Sequence, residues 1–286
     1  MLTARFLWSN WQNPRREKPE QQPELVKEVL ERFKAHHLST SQCKESTWQN
    51  TWAETFRQLP QDHPLSEAAI LAVVLSKKPD MRIRQLTCSR SAKLAAYAGL
   101  EVDLAIYEGG YNRNSLQPRK LPSDELIERS RLLPNPAWRW VYGVIATFGL
   151  RPHEAFFCEF VDSESLHIYI SKTVEHTAKA LRPDWVKVWE LEQVKKPAVT
   201  GKDLRAYGQR VRSQFNRYKL PFKTYDLRHA YAIRGVRLGF NPPEMARWMG
   251  HSETVHRETY RRWLDKETTD RIYRQKMGEW FSPPDA

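Results

Sequence analysis

Residues 136–154 read PAWRWVYGVIATFGLRPHE, an apolar run that gives way abruptly to charged residues. The spacing of the apolar side chains predicts a buried helix that ends near Gly149. One face of that helix carries Val141, Val144, Ile145 and Phe148. Arg151 follows immediately, where an arginine either caps the helix end or belongs to a site. A large second half of the chain is therefore expected to pack around this helix.

Upstream, residues 23–108 show helical periods only. Leu25, Val29 and Phe33 share one helix face, Trp48, Trp52 and Phe56 recur every four residues, and Ser66 is a good N-cap. No strand signal occurs before residue 100, so we predict an all-α domain of about four helices. Residues 1–22 are polar and rich in Pro and Gln, which favours a flexible arm.

Residues 109–122 contain glycine, prolines and basic side chains, as expected of an extended basic linker. A second domain then spans residues 123–286. Its β signal lies in two places: Leu166, Ile168 and Ile170 alternate with more polar residues, and Val186 and Val188 alternate within 184–189. We therefore predict a mainly α domain with a small β-hairpin that has a long tip, an α+β class.

The net charge of the chain and its distribution indicate the kind of molecule that it binds. The 286 residues carry a formal net charge of +12, and Lys202–Arg237 alone holds ten Lys/Arg against two Asp. Such a concentration favours binding to nucleic acid. The longest uncharged apolar stretch, 141–150, is too short to cross a bilayer. Three scattered cysteines match neither a disulfide framework nor a zinc site. We expect a cytoplasmic, nucleoid-associated protein that binds no membrane and no metal.

Four separated motifs carry chemistry. They are Gly149-Leu-Arg-Pro-His-Glu154, Ser171-Lys172-Thr173, Tyr225-Asp-Leu-Arg-His229, and Met249-Gly-His251 with Tyr260 nine residues after the histidine. Their order and spacing resemble the tyrosine recombinase (phage-integrase) family over roughly residues 120–265. The resemblance implies a helical core-binding domain and a catalytic domain that form a C-shaped clamp around duplex DNA. It also implies a homo-tetramer acting on two DNA sites.

The resemblance assigns roles residue by residue. Arg151 and Arg228 match the two family arginines, Lys172 the lysine, His251 the later histidine, and Tyr260 the nucleophile. The chemistry agrees, because two guanidiniums can neutralise a phosphodiester as it is attacked. A tyrosine hydroxyl, with a pKa of ~10, needs such a positive site and a proton acceptor. Lys179, on the same expected hairpin, is the alternative to Lys172.

One position departs from the family. Most members have a histidine three residues before the second arginine, where this chain has Tyr225. The same replacement resembles cyanobacterial recombinases that excise DNA elements. We expect Tyr225 to hydrogen-bond the scissile phosphate, while His251 or water accepts the nucleophile's proton. Glu154 and His229 are expected to support the catalytic side chains, with His229 as a substitute for the missing histidine.

The sequence therefore predicts a site-specific DNA recombinase that works through a 3′-phosphotyrosyl intermediate without a cofactor. Two alternatives stay open: a non-catalytic DNA-binding protein derived from a recombinase, and a type IB topoisomerase-like enzyme. Basic residues expected to contact DNA are Arg82, Arg84, Arg113, Arg119, Lys120, Lys202 and Lys223.

Overall fold

The structure is a computed structural model and describes residues 24–112, 120–260, 263 and 266–281. The chain divides into two compact units, Met1–Ser115 and Leu116–Ala286. This division falls inside the range 109–122, for which the sequence predicts a linker. The predicted arm, 1–22, lies outside the described residues, as do Arg113 and Arg119.

The first unit is helical throughout its described part. Helix α1 is Val26–Thr40. Helix α2 is continuous over Glu45–Thr47, a π-helical turn at Trp48–Trp52, and Ala53–Phe56. Helix α3 is Glu67–Leu75 and α4 is Arg82–Tyr97, followed by a 3₁₀ turn at Ala105–Tyr107. Ser66 caps α3 by accepting from the Ala69 amide, which confirms the predicted helix start.

An apolar core holds this unit together. Phe33 lies at its centre and packs against the rings of Trp48, Trp52, Phe56 and Tyr97. The four-residue repeat of aromatic side chains in α2 therefore lines one face of a helix, as the sequence predicts.

The second unit begins with α5, Asp124–Ser130, and the buried helix α6, Pro136–Phe148. A 3₁₀ turn at Glu154–Phe156 leads to the strands β1 (Cys158–Asp162), β2 (Ser165–Ile168) and β3 (His176–Lys179). Six more helices are described: α7 (Pro183–Val188), α8 (Leu204–Arg217), α9 (Thr224–Arg237), α10 (Pro242–Trp248), α11 (Glu253–Tyr260) and α12 (Lys266–Phe281).

The three strands form one antiparallel sheet in the order β1-β2-β3. Cys158 pairs with Ile168 across the first two strands, and Leu166 pairs with Ala178 across the second two. The mainly α class with a small sheet is thus confirmed. The predicted strand at 184–189 is wrong, because these residues form α7. Strand β2 pairs instead with β1 and β3.

Helix α7 explains that error. Pro183 occupies its first turn, where a missing amide costs nothing. Trp185 and Trp189 are four residues apart and stack with ring centroids 4.4 Å apart, both buried. The alternation of Val186 and Val188 is incidental to this helical packing.

Helix α6 runs through the core of the second unit. Asn135 caps its start by accepting from the amides of Ala137 and Trp138. Two of its polar aromatic side chains donate to backbone carbonyls: Trp140 to that of Leu191 at 2.7 Å and Tyr142 to that of Ile127 at 2.8 Å. Helix α6 is buried along most of its length, so the residues just beyond it start from the core of the unit.

Candidate active site

Gly149 ends α6 in the left-handed conformation, with φ +68°. A Cβ here would lie 2.3 Å from the ring of Tyr231, so only glycine fits. The chain turns at Gly149, and Arg151, two residues later, is 8% exposed. The end of α6 thus places the Arg151 guanidinium in the protein interior.

Glu154 lies fully buried between two arginines. Its carboxylate accepts from Arg151 Nη1 at 2.6 Å and lies 3.7 Å from Arg228 Nη1. Burial alone would raise the pKa of Glu154, but the charges of Arg228 and Arg151 and a hydrogen bond from Ser171 hold it below its usual range. The charged carboxylate partly neutralises the two cations, and this supports the interpretation of Glu154 as their brace.

Arg228 comes from the middle of α9 and is 1% exposed. Its Nη1 donates to the Gly149 carbonyl at 2.7 Å, and its Nη2 donates to the Met249 carbonyl. It therefore joins two of the sequence motifs, the one at 149–154 and the one at 249–251.

The Gly250 carbonyl is shared by two further groups. It accepts from Arg151 Nη2 at 2.8 Å and from Thr173 Oγ1 at 2.6 Å. Gly250 has φ +57°, and a Cβ there would lie 2.5 Å from the ring of His176. Glycine at this position lets the β3 residue His176 pack against the backbone next to His251.

Lys172 lies in the loop between β2 and β3, with its side chain exposed. Its neighbours anchor the loop: Ser171 Oγ donates to Glu154 at 2.7 Å, and Thr173 reaches Gly250. Lys179, the alternative, lies within β3 and donates to Ser165 Oγ at 2.6 Å. An exposed amine between two anchored residues suits a group that must reach a bound ligand.

His251 and Tyr260 lie together, with ring centroids 6.4 Å apart. Burial and the charge of Arg228 lower the pKa of His251 to about 3. Burial raises the pKa of Tyr260, which is 3% exposed, to about 12, although Arg228 and Arg151 act against this. Both groups are therefore neutral near pH 7 when no ligand is present.

Tyr225 begins α9 and is 41% exposed. Its ring lies 5.2 Å from that of His229, which in turn lies 5.6 Å from the ring of Tyr260. His229 is 9% exposed, so it is more enclosed than Tyr225. The ring of His229 thus lies between the exposed phenol of Tyr225 and the ring of Tyr260 in a series of ring contacts.

Sequence reasoning missed His256. Its Nδ1 lies 3.0 Å from His251 Nε2, and its ring centroid lies 4.8 Å from that of Tyr260. A signal was present, because His256 precedes Tyr260 by four residues and a helix places such residues on one face.

The residues predicted to contact DNA are scattered over both units. Lys120, Lys202 and Lys223 are exposed, as is Arg82 at the start of α4. Arg84 differs: it is 6% exposed and its Nε donates to the Lys77 carbonyl at 2.9 Å. This burial makes Arg84 a structural residue of the first unit, which corrects its assignment to a DNA surface.

Within the described residues, no group of three or more His, Cys, Asp or Glu side chains is arranged to hold a metal ion. Nor does any helix described have the length and apolar character needed to cross a membrane.

Comparison with known proteins gives matches to both units. Residues 27–108 match the family model described as the XisA/XisC excisase second domain. Excisase A of Nostoc sp. (strain PCC 7120 / SAG 25.82 / UTEX 2576) is 32% identical over 203 residues, covering 58% of this chain and 42% of the relative. Excisase C of the same organism is 23% identical, covering 96% of this chain and 62% of the relative. The chain spans less than two thirds of the length of either.

Among solved structures, a lambda integrase dimer bound to a COC′ core site superposes with a TM-score of 0.58 at 14% identity. The match covers 89% of this chain and 85% of that one, and it shows the shared fold. The sequence matches show that this chain is similar to the XisA and XisC excisases, and the superposition shows that it shares the fold of the solved integrase.

Proposed function

We propose that this protein is a site-specific DNA recombinase that cleaves duplex DNA through a 3′-phosphotyrosyl intermediate on Tyr260. One observation carries the proposal: four motifs far apart in sequence converge, so that Arg151 and Arg228 share the carboxylate of Glu154 while His251 and Tyr260 lie beside them. Two permanent cations next to a tyrosine suit a phosphodiester substrate.

The residues divide the reaction among them. Tyr260 Oη attacks phosphorus, and the bond from phosphorus to the 5′ oxygen breaks. The phenolic proton passes to His251 or to water, and Lys172 donates a proton to the departing 5′ oxygen. Because the phosphotyrosyl bond retains the energy of the broken one, a 5′ hydroxyl from a partner strand can reverse the step without ATP or metal.

Substrate charge matters for this proton transfer. A neutral His251 with a pKa of about 3 is a weak base. A phosphate anion held by Arg151 and Arg228 would favour the protonated imidazole and raise that pKa toward neutrality. Binding of DNA would thus prepare His251 to accept the proton.

The surface charge favours DNA as the partner. In the strongly basic stretch 202–237, only Arg228 and Arg234 are buried, and the other eight basic side chains are exposed. Arg212 and Lys223 line a pocket together with Tyr225. Phosphate contacts of this kind make affinity fall steeply with salt. In line with the family, we propose that four copies act on two DNA sites.

Covalent trapping tests the proposal. Wild type and Tyr260→Phe are incubated with end-labelled, nicked duplexes from the boundaries of the genomic element that carries the gene, in EDTA. We expect an SDS-resistant adduct with wild type and none with Tyr260→Phe. Adducts from both proteins would exclude Tyr260 as the nucleophile. Relaxation of a plasmid that lacks these boundaries would instead indicate a topoisomerase-like enzyme.

A second candidate, a DNA-binding protein that no longer cleaves, is favoured by one observation. Arg228 is almost fully buried and donates to two backbone carbonyls, as a purely structural arginine would. Salt-sensitive binding with no adduct across many boundary sequences would support this candidate.

A further inference from the structure

His251 and His256 make a direct contact that the family motif does not include. His251 Nε2 and His256 Nδ1 lie 3.0 Å apart, a hydrogen-bond distance. His256 is 2% exposed and precedes Tyr260 by one helical turn of α11. A histidine whose other nitrogen is engaged has its tautomer determined by that bond.

The surroundings keep this pair neutral. Burial and then Arg228 lower the pKa of His256 to about 4, and burial and Arg228 act likewise on His251. The other charged or titratable groups that act on His251 are Arg151 and His176. With cations on these sides, the two imidazoles share one hydrogen between the facing nitrogens.

We infer that His256 is a positioning residue that accepts the Nε2–H of His251, fixes the His251 ring, and leaves His251 Nδ1 unprotonated. This inference rests on the proposed function and takes His251, rather than water, as the group that accepts the proton of Tyr260. Since Nε2 is occupied by His256, Nδ1 is the nitrogen left to take that proton. The O–H bond of Tyr260 breaks as the N–H bond at Nδ1 forms, and His256 keeps its hydrogen bond throughout.

This arrangement bears on the missing family histidine. With Tyr225 in its place, the site has an exposed phenol where a base is usual. A buried partner that holds His251 as an acceptor would supply a base near Tyr260 in place of the missing histidine. His256 and Tyr260 also line a common cavity of about 420 Å³.

Two variants separate positioning from packing. Asparagine places an amide where His256 Nδ1 lies, so His256→Asn can still accept from His251. Phenylalanine keeps the ring beside Tyr260 but offers no acceptor. We expect single-turnover adduct formation by His256→Asn to remain within about 3-fold of wild type, and that by His256→Phe to fall by about 10-fold or more, as for lost partners of functional histidines. An active Phe variant with an impaired Asn variant would overturn the inference.

The tautomer itself is read independently of cleavage. ¹⁵N-histidine NMR of the wild-type protein at pH 7.5, assigned with His251→Gln, should show His251 with protonated Nε2 and bare Nδ1. A protonated Nδ1 would overturn the inference even if both variants were unfolded. If wild type forms no adduct on any boundary DNA, the proposed function fails, while the NMR result still decides the role of His256.

Discussion

Glu154 shows how one residue makes the site possible. Two guanidiniums this close and this buried would repel each other and lose hydration, each at a cost of several kcal/mol. The carboxylate, 0% exposed, offsets this with hydrogen bonds to the Arg151 side chain and to its backbone amide at 2.6 Å each. A net positive charge remains, which suits the proposed phosphodiester substrate.

Tyr225 is the residue whose chemistry is most open to test. Its phenol is exposed in the first turn of α9, and the sequence predicts that it hydrogen-bonds the scissile phosphate. On that prediction, Tyr225→Phe removes one donor and little else. We expect single-turnover cleavage to fall by about 100-fold, as when one oxyanion donor is removed, with DNA affinity almost unchanged. Trapping rates and filter binding on the same duplex measure the two quantities.

The matched variant restores the usual family residue. If tyrosine is adapted to this site, Tyr225→His should cleave no faster than wild type. Faster cleavage by Tyr225→His would mean that the tyrosine is a handicap, and it would strengthen the case for a protein that is losing activity.

Much of this site could be predicted from spacing. A fixed order of motifs brought Arg151, Arg228, His251 and Tyr260 to one place because each motif also sits at a helix end or within a helix of the shared fold. Burial could not be predicted: nothing in the sequence separates Arg84, which is buried, from Arg82, which is exposed. The pairing of His251 with His256 depends on how α11 follows α10, which pattern alone does not show.

At the scale of elements, a helix ending controls the site. Gly149→Ala would place a Cβ 2.3 Å from Tyr231 in a left-handed conformation. The conformation costs about 1–2 kcal/mol and the overlap about 1–3 kcal/mol. We therefore expect the free energy of unfolding to fall by about 2–5 kcal/mol, measured by urea denaturation of the full chain.

Gly208 provides the matched control. It lies within α8, and a Cβ there would meet nothing within 4 Å. Gly208→Ala should stabilise the protein by about 0.5–1 kcal/mol through helix propensity. Equal effects of the two substitutions would show that the ending of α6 is not under the constraint described.

The small sheet contains one strand that the sequence pattern predicts and one that it does not. Strand β2 has a clear alternation of Leu166 and Ile168, both fully buried, and the sequence predicts it. Strand β3, His-Thr-Ala-Lys, has no large apolar residue and is recognisable only from its pairing with β2. Helix α7 is the opposite case, because the sequence pattern predicts a strand that is absent. Its valines alternate as in a strand, but a proline in the first turn and two stacked tryptophans favour a helix.

At the scale of the molecule, the second unit buries several histidines without charging them. Burial is the largest cause that lowers the pKa of each one, and they are His153, His176, His251 and His256. In the unfolded chain these side chains titrate near 6.5. Between about pH 6.5 and pH 5 the unfolded state therefore binds more protons than the folded state.

The free energy of unfolding should consequently fall as the pH is lowered from 7.5 to 5. The contribution of the neutral histidines should be fully present above about pH 7. Carboxylates such as Glu154, whose pKa is also lowered, lose their contribution only below about pH 4, so the two windows are separate. Urea midpoints followed by tryptophan fluorescence at pH 7.5, 6.0 and 5.0 measure the slope. His256→Asn removes one such histidine and should make the slope shallower. A urea midpoint that is flat or rises toward pH 5 would contradict the burial of neutral histidines around the site.

Binding of DNA should also depend on pH. A bound phosphodiester favours protonated His251, so binding takes up a proton. We therefore expect boundary DNA to raise the urea midpoint more at pH 6 than at pH 7.5.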